Sequence, residues 1–444
     1  MIALQAAILG GLDEFMLRLG HLSSLCALAA ELRGTWARTE RELGNALTEF
    51  VVVPDELAKP VAAYLKMKRL CAIQGGSAAE PGEDPDYRYP ELIVMSDEVG
   101  DRLVSEQGDA PKVWWQDLCL ASPGVRSRVG AVTIGRSKSG SKTGVSHLTD
   151  WAHLLNLATN SGELSAEGHL IASLGRLRVN DHWVQNPYVV GTERLVFAHL
   201  LFSSDFDVFS RLVPNLVTQG TPIKRQSGAQ VFARTVSEIV DEAENAKYLS
   251  GQQVYRITQH LRDLESAGKK GGLDKGIGAS STAWHRAASR LESYVDLGLL
   301  EKGRNSTAEL YEYVYFPTPA LQRASDSLRE SSADNGETWL EEHLAHVLFG
   351  GTSFVEKLDP QLLLSLIPSA TAALNRPASV VPLSPIALAV VWLLKERGID
   401  CSTATARRAL EALAREQPEF ARLSRGSSGE RAEFISFTPK ALAR

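Results

Sequence analysis

Basic and hydroxyl-bearing side chains lie along one face of the predicted helix from Ser281 to Tyr294. Apolar residues at helical spacing, including Ala287 and Leu291, predict the buried face of this helix. The opposite face is expected to be exposed and carries Thr282, His285, Arg286, Ser289 and Arg290. Arginine can bind guanine or phosphate, and serine and threonine can bind phosphate, so this face is suited to double-stranded DNA.

Further cations flank this helix on both sides. The Gly- and Lys-rich segment before it contains Lys269 and Lys270, and the polar hairpin after it contains Lys302 and Arg304. We expect these side chains to contact the same phosphate backbone. The alternative for the whole set is a solvated helix face with ordinary mixed charge.

A second basic segment lies between residues 111 and 144, and its candidate contact residues are Arg126, Arg128, Arg136, Lys138 and Lys142. The loop GRSKSGSKTG follows a predicted strand, as a phosphate-binding P-loop does. Its spacing departs from G-x-x-x-x-G-K-[ST], because an extra residue precedes Lys142. The loop therefore favours contact with a phosphate backbone, and an NTPase with a degenerate P-loop is the weaker alternative.

The predicted helix from Thr403 to Ala414 offers a third candidate face. Arg407 and Arg408 are expected to be exposed on it. Glutamates such as Glu411 lie close in sequence, and this mixed charge makes the helix a weaker candidate for DNA binding.

The remaining candidate residues do not predict catalysis. His343 and His346 are three residues apart on a predicted helix, but they do not form H-E-x-x-H and no further metal ligands are evident. The four cysteines form no C-x-x-C pair, and no G-x-S-x-G motif occurs. The sequence predicts a non-enzymatic protein without metal, cofactor or small-molecule substrate.

The chain of 444 residues is long enough for two to four domains. Its formal net charge of -6 excludes a surface that is basic throughout, so any contact with DNA must be local. Asp13 and Glu14 interrupt the apolar N-terminal segment, which favours an amphipathic helix over a signal peptide. The run from Ile386 to Leu394 is about half the length of a membrane span. We expect a cytoplasmic protein without membrane contact.

Two segments of the chain are similar to each other. EYVYFPTPAL, which begins at Glu312, matches EFISFTPKAL, which begins at Glu433, at Glu, an aromatic residue, a β-branched residue, Phe and Ala-Leu. Each segment follows a helix, a short apolar strand and a polar hairpin tip. A fainter copy is predicted between residues 40 and 105. The self-similarity indicates an internal repeat.

This order of helices, strand, hairpin and strand resembles the winged helix-turn-helix family. The resemblance covers residues 228–324 and 384–444, and covers residues 40–105 more weakly. In that family, the helix before the hairpin usually enters the DNA major groove and the hairpin, or wing, contacts the backbone. The resemblance therefore implies that the helices of 281–294 and 403–414 contact DNA.

The predicted fold is mainly α and multidomain, with tandem winged-helix modules, small β-hairpin wings and a helical middle. The predicted domains are a helical N-terminal domain with a possible winged helix (1–109), a basic loop and helical segment (110–190), a central helical hairpin plus winged helix (191–330), a helical connector (331–383) and a C-terminal winged helix (384–444).

The expected function is DNA binding, as a regulator or as a subunit of a DNA-handling complex. The pattern of several degenerate winged helices in a long helical chain resembles bacterial phage-defence and chromosome-maintenance proteins. The alternative is a protein-interaction scaffold whose winged helices dock partner subunits, as in condensin-type accessory subunits. A protein partner or self-association is expected in addition to double-stranded DNA.

Overall fold

The computed structural model describes residues 152–178, 191–245, 290–305, 312–331, 336–374, 380–425 and 432–443, except 154, 160–162 and 352, together with positions 19, 22, 26, 30 and 189. In this part of the chain, 68% of the residues are helical and the sheets are small, antiparallel and three-stranded. The prediction of a mainly α protein is therefore confirmed. None of the described helices is long and apolar enough to cross a membrane.

Helix α1 (Ala166–Arg178) is followed by a group of elements that we call the central unit. The central unit consists of helix α2 (Glu193–Thr218), strand β1 (Ile223–Lys224), helix α3 (Arg225–Asn245), the helical residues 290–296 (α4), and strands β2 (Leu300–Asn305) and β3 (Glu312–Pro317). Strand β3 lies between β1 and β2 and is antiparallel to both. Ile223 and Lys302 both lie opposite Tyr315, so their side chains share one face of the sheet.

Helices α5 (Pro319–Glu330) and α6 (Gly336–Phe349) lead to a second group, the C-terminal unit. Its elements are helix α7 (Pro360–Ala373), strand β4 (Val380–Pro382), helix α8 (Leu383–Glu396), helix α9 (Thr403–Glu416), strands β5 (Ala421–Arg425) and β6 (Ala432–Phe437), and the short helix α10 (Pro439–Leu442). Strand β6 lies between β4 and β5, as β3 lies between β1 and β2. Both units therefore have a short strand that precedes a helix and pairs with the second strand of the hairpin. The sequence pattern did not predict these short strands.

A threonine followed by proline ends each hairpin in the same way. The backbone N–H of Thr318 donates to the carbonyl of Leu299 (3.1 Å), and that of Thr438 donates to the carbonyl of Phe420 (2.9 Å). Each threonine hydroxyl also donates to a backbone carbonyl at the start of the hairpin. These contacts make Thr318 and Thr438 equivalent positions in the two units.

The alignment predicted from the sequence is shifted by one residue. Starting from Glu312 and Glu433, it places Thr318 opposite Pro439 rather than opposite Thr438. Both second strands contain consecutive aromatic or β-branched residues. Shifting the alignment of the two segments by one residue therefore still matches apolar residues with each other, although it exchanges the two faces of the strand. The repeat is present, but the Thr-Pro pair at the next helix, and not the strand, fixes its register.

Two apolar stripes at the start of the central unit, 195–202 and 208–213, predict a helical hairpin. The two apolar stripes belong to one helix, α2, which is interrupted at Asp205 by a single non-helical residue with φ -147° and ψ 41°. Ser203 and Ser204, just before it, each donate a side-chain hydrogen bond to the carbonyl four residues earlier, which weakens the regular backbone pattern. Phe202 and Phe209 stack across the kink with ring centroids 3.8 Å apart. The two halves of α2 therefore meet at a kink at Asp205, and this contact joins them.

Helix α6 connects the two units, since it packs against α2 of the central unit and against α9 of the C-terminal unit. Trp339 of α6 is buried and lies beside Phe206 and Phe209, with ring centroids 5.8 and 5.4 Å away. The buried apolar residues of the described elements form one continuous core. Two of them, Val314 on β3 and Ala404 on α9, are not part of it.

Candidate nucleic-acid interface

Most of the side chains predicted to contact DNA lie outside the described residues. This group comprises Lys269, Lys270, Thr282, His285, Arg286 and Ser289 near the central unit, and Arg126, Arg128, Arg136, Lys138 and Lys142 of the basic segment. Arg304 lies on strand β2. The side chains of Arg290, Lys302, Arg407 and Arg408 are described, and the first three are buried.

Arg290 does not lie on an exposed face, contrary to the prediction. It is 4% exposed and forms an ion pair with Asp205, the residue at the kink of α2. Its guanidinium also lies over the ring of Phe232 on α3, 5.6 Å from the centroid. Arg290 therefore connects α4 to the two helices that precede it. The apolar pattern of α4 indicated one buried stripe, but helices on two sides enclose this position.

Lys302 is also buried and not available to a phosphate backbone, contrary to the prediction for the wing. Its side chain is 3% exposed, and Nζ lies 2.9 Å from Oε1 of Glu292 on α4. The hydroxyl of Tyr315 donates to the same carboxylate oxygen at 2.7 Å. Lys302 and Tyr315 lie opposite each other on adjacent strands, so the sheet brings both side chains to the end of α4. The cluster fastens the hairpin to this helix.

The equivalent place in the C-terminal unit is apolar. Leu423 of β5 lies opposite Ile435 of β6, as Lys302 lies opposite Tyr315. Ile435 is fully buried and Leu423 packs against the core. The two units have the same topology but differ at this position of the hairpin. The central unit has a charged cluster there, and the C-terminal unit has apolar side chains.

Arg407 is buried on the C-terminal unit, and its predicted exposure is also wrong. Its Nη1 lies 2.6 Å from Oε1 of Glu341 and 3.4 Å from Oε1 of Glu337, both on α6, and its Nε lies 3.3 Å from Glu411. Burial alone would lower the pKa of this guanidinium, but the carboxylates of Glu341, Glu411 and Glu337 raise it above its ordinary value. Arg407 is therefore a fully charged contact between α9 and α6.

The first five residues of α9 are enclosed by protein. Every residue from Thr403 to Arg407 is buried, with none more than 6% exposed. The hydroxyl of Ser402 accepts the backbone N–H of Thr405 at 3.1 Å and so caps the helix. An α-helix that enters the major groove of DNA presents base-contacting side chains from this end. In the C-terminal unit, this end faces protein.

Arg408 alone among the four described cations is exposed as predicted. Its side chain is 64% exposed, and its Nη1 lies 4.0 Å from Oε1 of Glu342 on α6. The Nη2 group donates to the hydroxyl of Thr405 at 3.4 Å. A pair this exposed contributes little to stability, so Arg408 is free to be substituted without unfolding the chain.

The acidic partners of the buried cations were not singled out from the sequence. Asp205 falls at helical spacing between the apolar residues Phe202 and Phe209, and a carboxylate within an apolar helix face is a signal that a cation is buried against it. Glu292 and Glu341 gave no such signal, because glutamate is common on solvated helices. Their roles depend on contacts with distant elements.

His343 and His346 lie on α6 and have aromatic neighbours. The His346 ring stacks on Phe354 with centroids 3.6 Å apart, and the His343 ring lies 5.9 Å from that of Trp339. Within the described ranges, no group of three or more His, Cys, Asp or Glu residues could hold a metal ion. The loop considered as a degenerate P-loop lies outside these ranges.

Comparisons of the chain with protein-family models, with curated proteins and with solved structures found no match.

Proposed function

We propose that this protein is a non-enzymatic DNA-binding protein built from two winged-helix units, of which the central unit contacts the duplex. The support is the order of elements that both units share: a helix, a short strand, further helices and a β-hairpin whose second strand pairs with the short strand. Winged-helix proteins have this order, and their DNA contacts come from the helix before the hairpin and from the hairpin tip.

The proposed contact surface is smaller than the sequence alone predicts. Arg290 and Lys302 are engaged in buried ion pairs and are not part of it. The proposed contacts are Thr282, His285, Arg286 and Ser289 from the helix, Arg304 from the hairpin, and Lys269 and Lys270 from the preceding segment. The basic segment from Arg126 to Lys142 would add phosphate contacts that do not depend on sequence.

The net charge of -6 makes this proposal testable by salt. Binding of a labelled duplex is measured by fluorescence anisotropy at about 50 and 200 mM salt, a range over which several phosphate contacts weaken affinity strongly. A triple variant, Lys269→Ala/Lys270→Ala/Arg286→Ala, is expected to bind more weakly. If all three side chains contact phosphates, the slope of log K against log salt falls by roughly 2 to 3.

Arg234→Ala is the matched control, because Arg234 is an exposed arginine on α3 of the same unit and is not a proposed contact. It is expected to keep the affinity and the salt slope of the wild-type chain. The proposal fails if the wild-type chain does not bind duplex at the lower salt concentration. It also fails if the triple variant and the control bind equally well.

A second candidate function is a protein-interaction scaffold. The observation that favours it is the packing of helix α6 against α9, whose first five residues are buried, since here a winged-helix-like unit holds a protein helix. The two candidates differ in a simple experiment: a scaffold would bind no bare duplex at either salt concentration and would elute from size-exclusion chromatography with a protein partner or as a self-associated species. We propose a cytoplasmic location and no cofactor for either function.

A further inference from the structure

Helix α6 presents carboxylates to the helix that would contact DNA in the C-terminal unit. Glu337 and Glu341 approach Arg407, and Glu342 approaches Arg408. Arginines at the start of such a helix are suited to phosphate oxygens, and carboxylate oxygens satisfy the same guanidinium donors. The carboxylates of Glu337 and Glu341 therefore occupy donors of Arg407 that a phosphate backbone would need.

We propose that the C-terminal unit is a docking site for an acidic helix, that α6 is its permanent occupant, and that this unit makes no contact with nucleic acid. This inference rests on the proposed function where it assigns DNA contact to the central unit and not to the C-terminal unit. The docking of α6 itself rests only on the contacts above.

The apolar side of α6 explains why the occupancy is permanent. Trp339, Leu340 and Leu344 are at most 1% exposed, and Trp339 lies within the aromatic cluster of α2. Helix α6 could not leave the core without exposing these side chains to water, which is strongly unfavourable. Helix α6 is thus part of the core of the protein and is not a removable lid.

The two units offer a matched pair of positions for the test. Leu291 and Tyr294 are buried in the central unit at the spacing of Leu410 and Leu413 in the C-terminal unit. With these pairs aligned, Ser289 corresponds to Arg408. A glutamate at either position therefore gives the same side chain at corresponding positions of the two sequences.

The first experiment measures duplex affinity of the full-length chain at low salt for Arg408→Glu and for Ser289→Glu. Arg408→Glu is expected to bind within about twofold of the wild-type chain, whereas Ser289→Glu is expected to lose tenfold or more through repulsion of phosphate. A tenfold loss for Arg408→Glu would overturn the inference, because the C-terminal unit would then lie on the DNA. If Ser289→Glu also binds like the wild type, the assignment of DNA contact to the central helix is wrong.

A second experiment decides the docking of α6 even if the chain binds no duplex. The thermal midpoints of Arg407→Met, Glu341→Met and the double variant are compared by circular dichroism. Each single variant is expected to unfold at a lower temperature by about 5 °C or more, since it leaves a buried charge without its partner. The double variant should lose less than the sum of the two single losses. Additive losses would show that the two side chains do not interact and would overturn the docking of α6.

Discussion

Arg290 forms an ion pair with Asp205, and both side chains are almost completely buried. Asp205 interrupts the helical conformation of α2, so the kink and the ion pair occupy the same place. The guanidinium also lies over Phe232 of α3. One arginine thus connects three helices of the central unit at the point where α2 bends.

Removing either member of this pair is expected to destabilise the protein strongly. Arg290→Met leaves the Asp205 carboxylate buried without its cation, and Asp205→Leu leaves the guanidinium without its anion, so each should lower the free energy of unfolding by about 3–5 kcal/mol. The double variant should recover most of that loss, because two apolar side chains replace two buried charges. Urea unfolding followed by circular dichroism measures all three values. A double variant no more stable than either single variant would contradict the pairing.

The helices with strong apolar periodicity could be predicted from the sequence. The predicted helix from Thr403 to Ala414 agrees with α9. The hairpin strands were also found, because alternating apolar residues flank polar tips. These features depend on residues that are close in sequence.

The burial of the predicted contact residues could not be derived in the same way. Periodicity identifies one buried face of a helix, but it does not reveal a second neighbour on the opposite face. The main partner of Arg407 is Glu341, which is 66 residues away in sequence. The sequence therefore predicts that such a charged side chain is exposed, although a carboxylate on a distant helix covers it.

In the cluster of Lys302, Glu292 and Tyr315, replacing Lys302 alone should destabilise the protein more than replacing Lys302 and Glu292 together. Lys302→Leu copies the leucine found at the equivalent place in the C-terminal unit, but it leaves the buried Glu292 carboxylate without its cation. The free energy of unfolding is expected to fall by about 3 kcal/mol. Adding Glu292→Gln should restore more than half of this loss, because a neutral amide oxygen still accepts the Tyr315 hydroxyl.

Urea midpoints of Lys302→Leu, Glu292→Gln and the double variant test this prediction at pH 7. The cluster would have no net interaction if Lys302→Leu were as stable as the wild-type chain. The predicted interaction would also be contradicted if adding Glu292→Gln to Lys302→Leu lowered the free energy of unfolding further.

The two equivalent threonines are expected to differ in importance. Thr318 accepts the backbone N–H of Leu321 and so caps α5, whereas the Thr438 side chain makes no such bond to the short helix α10. Both hydroxyls donate to the start of the hairpin. Thr318→Ala should cost about 1 kcal/mol more than Thr438→Ala, which is the usual contribution of a helix cap. Thermal unfolding of the two variants in parallel measures the difference, and equal losses would show that the cap contributes nothing.

His199 should make the stability of the protein fall in mild acid. Its imidazole is buried on α2, where desolvation lowers its pKa from 6.5 to about 4, and its Nε2 lies 3.5 Å from the Ser384 hydroxyl. Above pH 6.5 the ring is neutral in both states and has no effect on the pH dependence. As the pH falls from 6.5 to about 4, the unfolded chain takes up a proton that the folded chain does not.

This difference in pKa should remove about 3 kcal/mol of stability in total over that pH range. The free energy of unfolding in urea is measured at intervals between pH 7 and pH 4 for the wild-type chain and for His199→Leu. The variant keeps every other titrating group, so the stability of the wild-type chain should fall relative to that of the variant as the pH falls, by up to about 1.4 kcal/mol for each pH unit. Curves that stay parallel throughout would mean that His199 accepts its proton equally well in the folded chain.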